Sequence, residues 1–344
     1  MKKSIYWSCD EVFCDQRLLN FIIGTRGVGK TYSFVEKGIK NYLHDWKKRK
    51  EEKRQMGYIR RYEVELDSID TLFNPFKNSS NEIIKNCEFK VEGGTFYIKP
   101  PGEDKFDVLG FYMALSKSHQ FKGSSYPNCT LIIYDEFMVE QGQRQLKGEV
   151  NKLFNLIETI ARLREDISVC LLGNATSFND SNYRWELNLQ IPYKNSKWFH
   201  KTKSIGVYFV SNDAYIRQKK KTRFGKLVEG TSYEVGMIDN KMMYDSNTFI
   251  RKKKGNYNLL FTFLYAGSTF GVFSNNKNVI IDFCSNRPDF QIVDPESNVD
   301  SIKALKRTNP IVKKLRKYTE YGILYYQSQA VKAKLHKLFI KILY

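Results

Sequence analysis

The chain has 344 residues, which is enough for two domains that each bury an apolar core. Apolar residues make up 42% of the sequence and aromatic residues 15%, a composition that argues against intrinsic disorder. Lys and Arg number 56 against 37 Asp and Glu, and the resulting net charge of +19 indicates a polyanionic partner, with a nucleic acid favoured.

The first motif in chain order, at residues 24–31, matches the phosphate-binding loop of P-loop nucleotide hydrolases. Its glycines let backbone N–H groups point at phosphate oxygens, Lys30 offers a charge to the β- and γ-phosphates, and the Thr31 hydroxyl is a ligand for Mg²⁺. The apolar run at residues 18–23 predicts a buried strand before the loop, and helical spacing of apolar residues predicts a helix after it. The predicted nucleotide-binding residues are Gly24, Thr25, Arg26, Gly27, Val28, Gly29, Lys30 and Thr31.

Two adjacent carboxylates, Asp135 and Glu136, follow the apolar run at residues 130–134, which is typical of a central parallel strand. Asp135 is predicted to hold the Mg²⁺ shell, and Glu136 to polarise the water that attacks the γ-phosphate. Taken alone, the pair would be interpreted as a cap for the next helix. Together with the upstream loop, it predicts an ATP hydrolase with ATP and Mg²⁺ as cofactors.

A further strand is predicted at residues 168–174, between the loop strand and the Asp135 strand in the sheet. Asn174 would end this strand and hydrogen-bond the attacking water or the γ-phosphate. The alternative is that Asn174 only begins the next turn, with Gly173 supplying the bend. The predicted fold is an α/β ATPase domain with a mostly parallel sheet, of the additional-strand, catalytic-glutamate (ASCE) type.

Two arginines, Arg162 and Arg164, close a helix that is predicted from Val150 to about Glu165. Arginines at a helix C-terminus are ordinarily dipole partners or surface charges. The functional alternative is an arginine finger that reaches the γ-phosphate of a neighbouring subunit, an effect worth roughly 10³–10⁵ in rate. Arg162 projects from the polar face and is the preferred candidate, with Arg164 as the alternative.

The sequence predicts an ATPase domain at residues 1–197, a linker or lid at 198–229, and a C-terminal domain at 230–344. Gly57 is predicted to end the helix after the loop and residues 58–59 to open a second strand. Alternating or apolar runs predict a small β-rich region after residue 230, followed by a basic helical tail from about residue 298. Basic runs predict nucleic-acid contacts: they lie at residues 47–50, 217–223, 251–254 and 303–317.

Nuclease chemistry, zinc binding and a membrane span are not expected. A two-metal nuclease needs several converging carboxylates, and Asp282 is the only acid of the C-terminal domain embedded in an apolar run. We therefore expect this domain to bind DNA or RNA weakly and to cut neither. The six cysteines do not include two pairs at the spacing of a zinc site. The apolar stretch at 258–273 is interrupted by glycines and is short for a membrane span.

The order of these motifs resembles the DNA-packaging ATPases of small phi29-type tailed phages. The resemblance is carried by the loop at residues 24–31, the Arg60–Arg61 pair, the Asp135–Glu136 pair, the Arg162 helix and the strand ending at Asn174, all within the first two hundred residues. It implies a homomeric ring, of five subunits, that pumps double-stranded DNA through the portal (connector) into a procapsid. It also implies a degenerate RNase H-like C-terminal domain.

Residue roles implied by the resemblance follow the motifs. Lys30 and Thr31 match the Walker A pair, Asp135 and Glu136 the Walker B pair, and Arg162 the trans-acting arginine. Lys122 sits where the family has a lysine proposed to act between subunits. The protein would act in the host cytoplasm, transiently at the portal vertex, and be absent from the mature virion; whether a scaffold RNA is needed stays open.

Other classes of protein share parts of this pattern. A DNA helicase or a partition-type ATPase would have the same nucleotide site, and directional strand separation would identify the helicase. A packaging terminase with an active nuclease would differ in the C-terminal domain. A binding module with a degenerate loop is disfavoured because Lys30, Asp135 and Glu136 are all intact.

Overall fold

The structure is a computed structural model of the chain, and the chain forms two compact units. The first unit comprises Met1–Phe178 and Ile191–Met243, and the second Asn179–Gln190 and Tyr244–Tyr344. The structure describes residues 6–121, 123–139, 146–174, 181–187, 189, 197–199, 204–231, 233–234, 238, 249–265, 267–291 and 310–338.

The elements of the described residues are numbered in chain order. The strands are β1 Leu19–Gly24, β2 Gln55–Arg60, β3 Glu88–Glu92, β4 Thr95–Lys99, β5 Asp107–Ala114, β6 Cys129–Asp135, β7 Ser168–Asn174, β8 Lys197–Phe199, β9 Ile205–Val210, β10 Asn258–Tyr265, β11 Ser268–Ser274, β12 Val279–Phe283, β13 Phe290–Gln291 and β14 Leu324–Tyr326. The α-helices are α1 Asp10–Cys14, α2 Lys30–Lys47, α3 Glu82–Lys85, α4 Glu149–Ala161, α5 Asn182–Glu186, α6 Asp213–Lys220, α7 Arg223–Leu227, α8 Pro310–Glu320 and α9 Gln329–Leu338. Among the described residues, no helix combines the length and the apolar composition needed to cross a membrane.

The first unit is built on a sheet with the strand order β3-β4-β5-β2-β6-β7-β1-β9-β8. The six strands from β5 to β9 in this order are parallel, while β3, β4 and β8 are antiparallel additions at the edges. The expected further strand, β7, lies between β1 and β6, so this part of the sequence prediction is confirmed. Because parallel strands end at one edge, the residues that follow β1, β6 and β7 are brought together.

The parallel strands are mostly apolar because both of their faces are buried. All six residues of β1 are buried, and β6 is buried over its last five residues. Helix α2 packs its apolar side on the sheet through Phe34, Val35, Ile39 and Tyr42, which belong to the same core cluster as Ile22 and Ile133. The register of the sheet is therefore fixed by buried side chains on both faces.

The strand β2 differs from the sequence expectation. Gly57 was expected to end the preceding helix, but α2 ends at Lys47 and Gly57 lies inside β2. Glycine at this position serves the packing of the strand, because a Cβ there would lie 2.5 Å from the Phe111 ring. The hairpin of β3 and β4 turns at Gly93 and Gly94, which both have positive φ.

The segment 198–229 is also different from the linker or lid that the sequence suggested. It contains β9, which pairs in parallel with β1 along its whole length, followed by α6 and α7. Strand β9 is almost entirely buried, whereas the Lys- and Tyr-rich composition of its surroundings suggested a surface connection. This segment therefore belongs to the first unit, next to the predicted phosphate-binding loop.

The second unit has a mixed sheet with the strand order β13-β10-β11-β12-β14. Helices α8 and α9 contribute Val312, Leu315, Val331 and Leu335 to its core. The expected helical tail is interrupted by β14, which pairs in parallel with β12 because its alternate residues are buried in this core. The RNase H-like character of this unit stays a prediction.

The carboxylates of the second unit have structural partners. Asp282 forms an ion pair with Lys253 at 3.0 Å, and the Asp289 carboxylate accepts hydrogen bonds from the Thr262 N–H and hydroxyl at 2.7 and 2.9 Å. Within the described residues, no three acidic, His or Cys side chains form a group that could hold a metal ion. The contacts of Asp282 and Asp289 therefore serve packing of the sheet in this structure.

Candidate functional site

The predicted phosphate-binding loop connects the end of β1 to the start of α2. Gly27 has φ 82° and Gly29 has φ 101°, a left-handed backbone that favours glycine. Gly24 has no room for a side chain, because a Cβ there would lie 2.2 Å from the Val210 carbonyl oxygen at the end of β9. The three glycines thus allow the tight path from strand to helix.

Lys30, the first residue of α2, is buried and faces oxygen atoms. Its ammonium group donates to the carbonyl oxygens of Gly24 and Thr25 at 2.9 Å each, and lies 3.4 Å from Asn174 Oδ1. Burial lowers the pKa of Lys30 to about 8. A negatively charged ligand at this position would stabilise the protonated form.

Asp135, at the end of β6, accepts three hydrogen bonds. The Thr31 hydroxyl and the Tyr58 hydroxyl both donate to Asp135 Oδ2 at 2.8 Å, and the Glu136 N–H donates to Oδ1 at 3.0 Å. Thr31 and Asp135, the two predicted Mg²⁺ ligands, are therefore in direct contact. A hydroxyl and a carboxylate are hard oxygen donors, and this donor set fits Mg²⁺.

Glu136 has an unusual backbone and a charged partner. Its φ is +56°, and its carboxylate forms an ion pair with Arg60 Nη2 at 2.6 Å, although 46% of its side chain is exposed. Arg60 also lies 3.5 Å from Glu65. Since the carboxylate that would serve as the base is bound to an arginine, it must leave Arg60 before it can accept a proton from water.

The neighbouring Arg61 is buried and holds the chain that follows β6. It forms an ion pair with Glu149 at 2.8 Å and donates to the backbone carbonyls of Glu136 and Phe137. The Tyr134 hydroxyl donates to the same Glu149 carboxylate at 2.9 Å. These contacts fix the backbone at Glu136, so its side chain can turn while its main chain is restrained.

The loop and the residues at the ends of β6 and β7 surround one open cavity of about 210 Å³. Of the residues that the sequence singled out, the cavity is lined by Arg26, Gly27, Gly29, Lys30, Thr31, Asp135, Glu136 and Asn174. Sequence reasoning did not assign a role to Tyr58, and treated Arg60 only as part of a family signature. The signal for Tyr58 was a hydroxyl within a strand that is otherwise largely buried and apolar.

The two candidate arginines have different surroundings. Helix α4 ends at Ala161, four residues before the expected end, because Arg162 adopts φ +51° as its C-cap. Arg162 is exposed, and its side chain forms no hydrogen bond or ion pair within the part of the chain that the structure describes. Arg164 instead donates to four backbone carbonyls: those of Tyr126, Pro127, Cys129 and Ile160. Lys122 lies outside the described residues.

Comparison with known proteins decides the family. The family of podovirus DNA encapsidation proteins (Gp16) matches residues 1–343. The chain belongs to this family. The DNA packaging protein of Bacillus phage phi29 is 28% identical over 350 residues, 99% of each chain, and that of Bacillus phage B103 is 32% identical over 266 residues, 77% of each chain.

Solved structures support the same assignment. The chain is similar to a chain of the bacteriophage phi29 genome packaging motor assembly, with a TM-score of 0.73, 26% identity, and coverage of 98% of this chain and 100% of that one. It is also similar to the N-terminal domain of the phi29 DNA packaging ATPase, with a TM-score of 0.52 and 26% identity over 61% of this chain and 98% of that domain. The chain is therefore a phage DNA packaging protein with an ATPase-like first unit.

The contacts of the two arginines predict different effects on stability. Arg164→Gln removes several charge-assisted bonds to carbonyls, so we expect a loss of at least about 2 kcal/mol and a fall in melting temperature of about 5 °C. Arg162→Gln should change stability by less than about 0.5 kcal/mol. Thermal unfolding of both variants by circular dichroism measures this; equal losses would contradict the division of roles.

Proposed function

We propose that the chain is an ATP hydrolase that drives double-stranded DNA into a procapsid. The observation that carries the proposal is the direct contact of Thr31 with Asp135 beside the buried Lys30. These residues are 104 positions apart in the sequence, and their meeting at one cavity is what MgATP binding requires. Membership of the encapsidation family supplies the biological setting.

Binding of the nucleotide would use the loop and its two neighbours. The backbone N–H groups of the loop and the Lys30 ammonium would hold the phosphates. Thr31 and Asp135 would hold Mg²⁺, which when bound neutralises charge that develops on the phosphates. Because a hydrogen bond of 2.8 Å joins these two residues, both oxygens are within reach of one ion.

Hydrolysis would depend on Glu136 as general base. Its carboxylate would leave Arg60, turn towards the cavity that it already lines, and accept a proton from the attacking water. Asn174, which ends β7 and approaches Lys30, would orient the water or the γ-phosphate. The Arg60–Glu136 ion pair thus corresponds to a resting arrangement of the base.

Completion of the site would come from a neighbouring subunit. Arg162 does not line the cavity of its own chain, and its exposed side chain is available to a second copy. This supports a homomeric ring, of five subunits, in which each Arg162 reaches the γ-phosphate of the next site. The similar phi29 chain is described as part of a packaging motor assembly, which is consistent with an oligomer.

The partners follow from charge and family. A net charge of +19 suits sequence-independent contact with duplex DNA phosphates, and with a scaffold RNA if one is used. Residues 47–49, at the end of α2, are exposed members of one basic run. The protein would act in the host cytoplasm at the portal vertex of the procapsid and would be absent from the mature virion.

The first prediction concerns the base. Glu136→Gln should retain MgATP binding but lower turnover at least about 100-fold, because the water loses its proton acceptor while the phosphate-binding loop is unchanged. Steady-state ATPase rates with and without long double-stranded DNA, together with mass photometry for assembly, measure this. Wild-type turnover should rise with DNA, and the exposed control Glu165→Gln should behave as wild type.

Two results would count against this assignment. Near-normal turnover of Glu136→Gln would remove Glu136 from the mechanism. A wild-type rate that is indifferent to long duplex DNA, with the ring assembled, would contradict a DNA-driven motor.

The second prediction concerns the arginine. Arg162→Ala should bind ATP but lose roughly 10³-fold in turnover, because no positive charge reaches the neighbouring γ-phosphate. Mixing with Glu136→Gln subunits, which keep Arg162, should restore part of the activity. ATPase rates over a series of mixing ratios provide the measurement, and no recovery at any ratio in assembled rings would favour a purely structural role.

The third prediction concerns protonation of Lys30. Its pKa of about 8 should rise when phosphates bind nearby, so MgATP binding at pH 8 should take up about half a proton per site and weaken as pH rises further. Calorimetry in buffers with different ionisation enthalpies measures the uptake. Lys30→Arg, which stays charged, is the control and should show none; buffer-independent heats for the wild type would refute the linkage.

A further inference from the structure

Helix α6 rests against the phosphate-binding loop. The Lys219 ammonium donates to the Arg26 carbonyl oxygen at 2.8 Å, and the Tyr215 hydroxyl donates to the same oxygen at 3.3 Å. Lys219 belongs to the basic run at 217–223 that the sequence assigned to nucleic-acid contact. One member of this run is instead directed at the loop.

The start of α6 has contacts besides those with Arg26. The Asn212 side chain caps the helix by accepting from the N–H groups of Ala214 and Tyr215 at 3.0 and 3.3 Å. Tyr215 is also partly buried against the core of the first unit, and its ring centroid lies 5.8 Å from that of Tyr6. The helix therefore packs on the first unit through Tyr215 and reaches Arg26 through both Tyr215 and Lys219.

The geometry of the peptide bond gives these contacts a consequence at the cavity. In a trans peptide the C=O of Arg26 and the N–H of Gly27 point in opposite directions. With the carbonyl held outwards by α6, the Gly27 N–H is turned towards the other side of the loop, and Gly27 lines the cavity. Gly27 also leaves space for this contact, since a Cβ would lie 2.4 Å from the Tyr215 hydroxyl oxygen.

We propose that α6 braces the phosphate-binding loop, with Lys219 and Tyr215 as positioning residues that turn the Gly27 N–H towards the phosphates of a bound nucleotide. The inference rests on the proposed nucleotide binding and goes beyond it by adding two residues remote from the loop in sequence. Neither residue lines the cavity, so each acts through Arg26 rather than by touching the ligand.

The test compares MgATP affinity among variants of the full-length chain. We expect Lys219→Met to weaken binding about 10-fold and Tyr215→Phe about 3-fold, because each removes one donor to Arg26. Lys219→Arg should restore most of the affinity, and Lys221→Met, at the exposed end of the same helix, should have no effect. Melting temperatures of the nucleotide-free proteins check that the fold is retained.

Three further measurements decide between bracing and a direct contact. Bracing predicts equal losses for ATP and GTP, little change of the loss between low and high salt, and a raised KM with kcat nearly unchanged. A loss confined to ATP would overturn the proposal in favour of direct contact with the adenine. A loss that disappears at high salt would overturn it in favour of direct contact with the phosphates.

Failure of the brace differs from failure of the proposed function. If Lys219→Met and Tyr215→Phe bind MgATP as tightly as the wild type, the brace is refuted while the ATPase assignment stands. If the wild type itself binds no MgATP, or Lys30→Ala binds as well as the wild type, the nucleotide site is refuted, and the brace with it.

Discussion

The candidate site depends on the three hydrogen bonds that the Asp135 carboxylate accepts. Its donors come from the phosphate-binding loop, from β2 and from its own next residue, so one side chain joins three pieces of backbone. A buried carboxylate without such partners would be costly. The parallel alignment of β1, β2 and β6 brings the donors together, and the glycines of the loop allow Thr31 to approach.

Two adjacent arginines share the stabilisation of the chain that leaves β6. Arg61 is buried in the core and restrains the main chain after β6. Arg60 lies beside the site and binds the Glu136 carboxylate. Breaking a buried pair such as Arg61–Glu149 costs about 3–5 kcal/mol, whereas the Arg60–Glu136 pair, whose glutamate side chain is 46% exposed, contributes less. The stronger pair therefore maintains the geometry, and the weaker pair is the one that would open in the proposed hydrolysis.

Much of the first unit could be predicted from the sequence because its signals are local. The loop motif, the apolar run before Asp135 and the strand ending at Asn174 each occupy fewer than ten residues, and the order of β1, β7 and β6 followed from the fold class. The partners of the site could not be predicted this way. Tyr58 meets Asp135 across 77 positions and Lys219 meets Arg26 across 193, and periodicity carries no information about such pairs. Strand β9 was not predicted, because the basic residues that flank it suggested a surface segment.

The end of α4 is not built for stability alone. A positive φ at a helix end is most favourable for glycine, and another residue held there costs roughly 1 kcal/mol or more. This chain has Arg162 at that position, with φ +51°, and leaves its side chain in solvent. Selection for folding alone would favour glycine at this helix end. If Arg162 acts as proposed, glycine at this position would raise thermostability and lower ATP turnover.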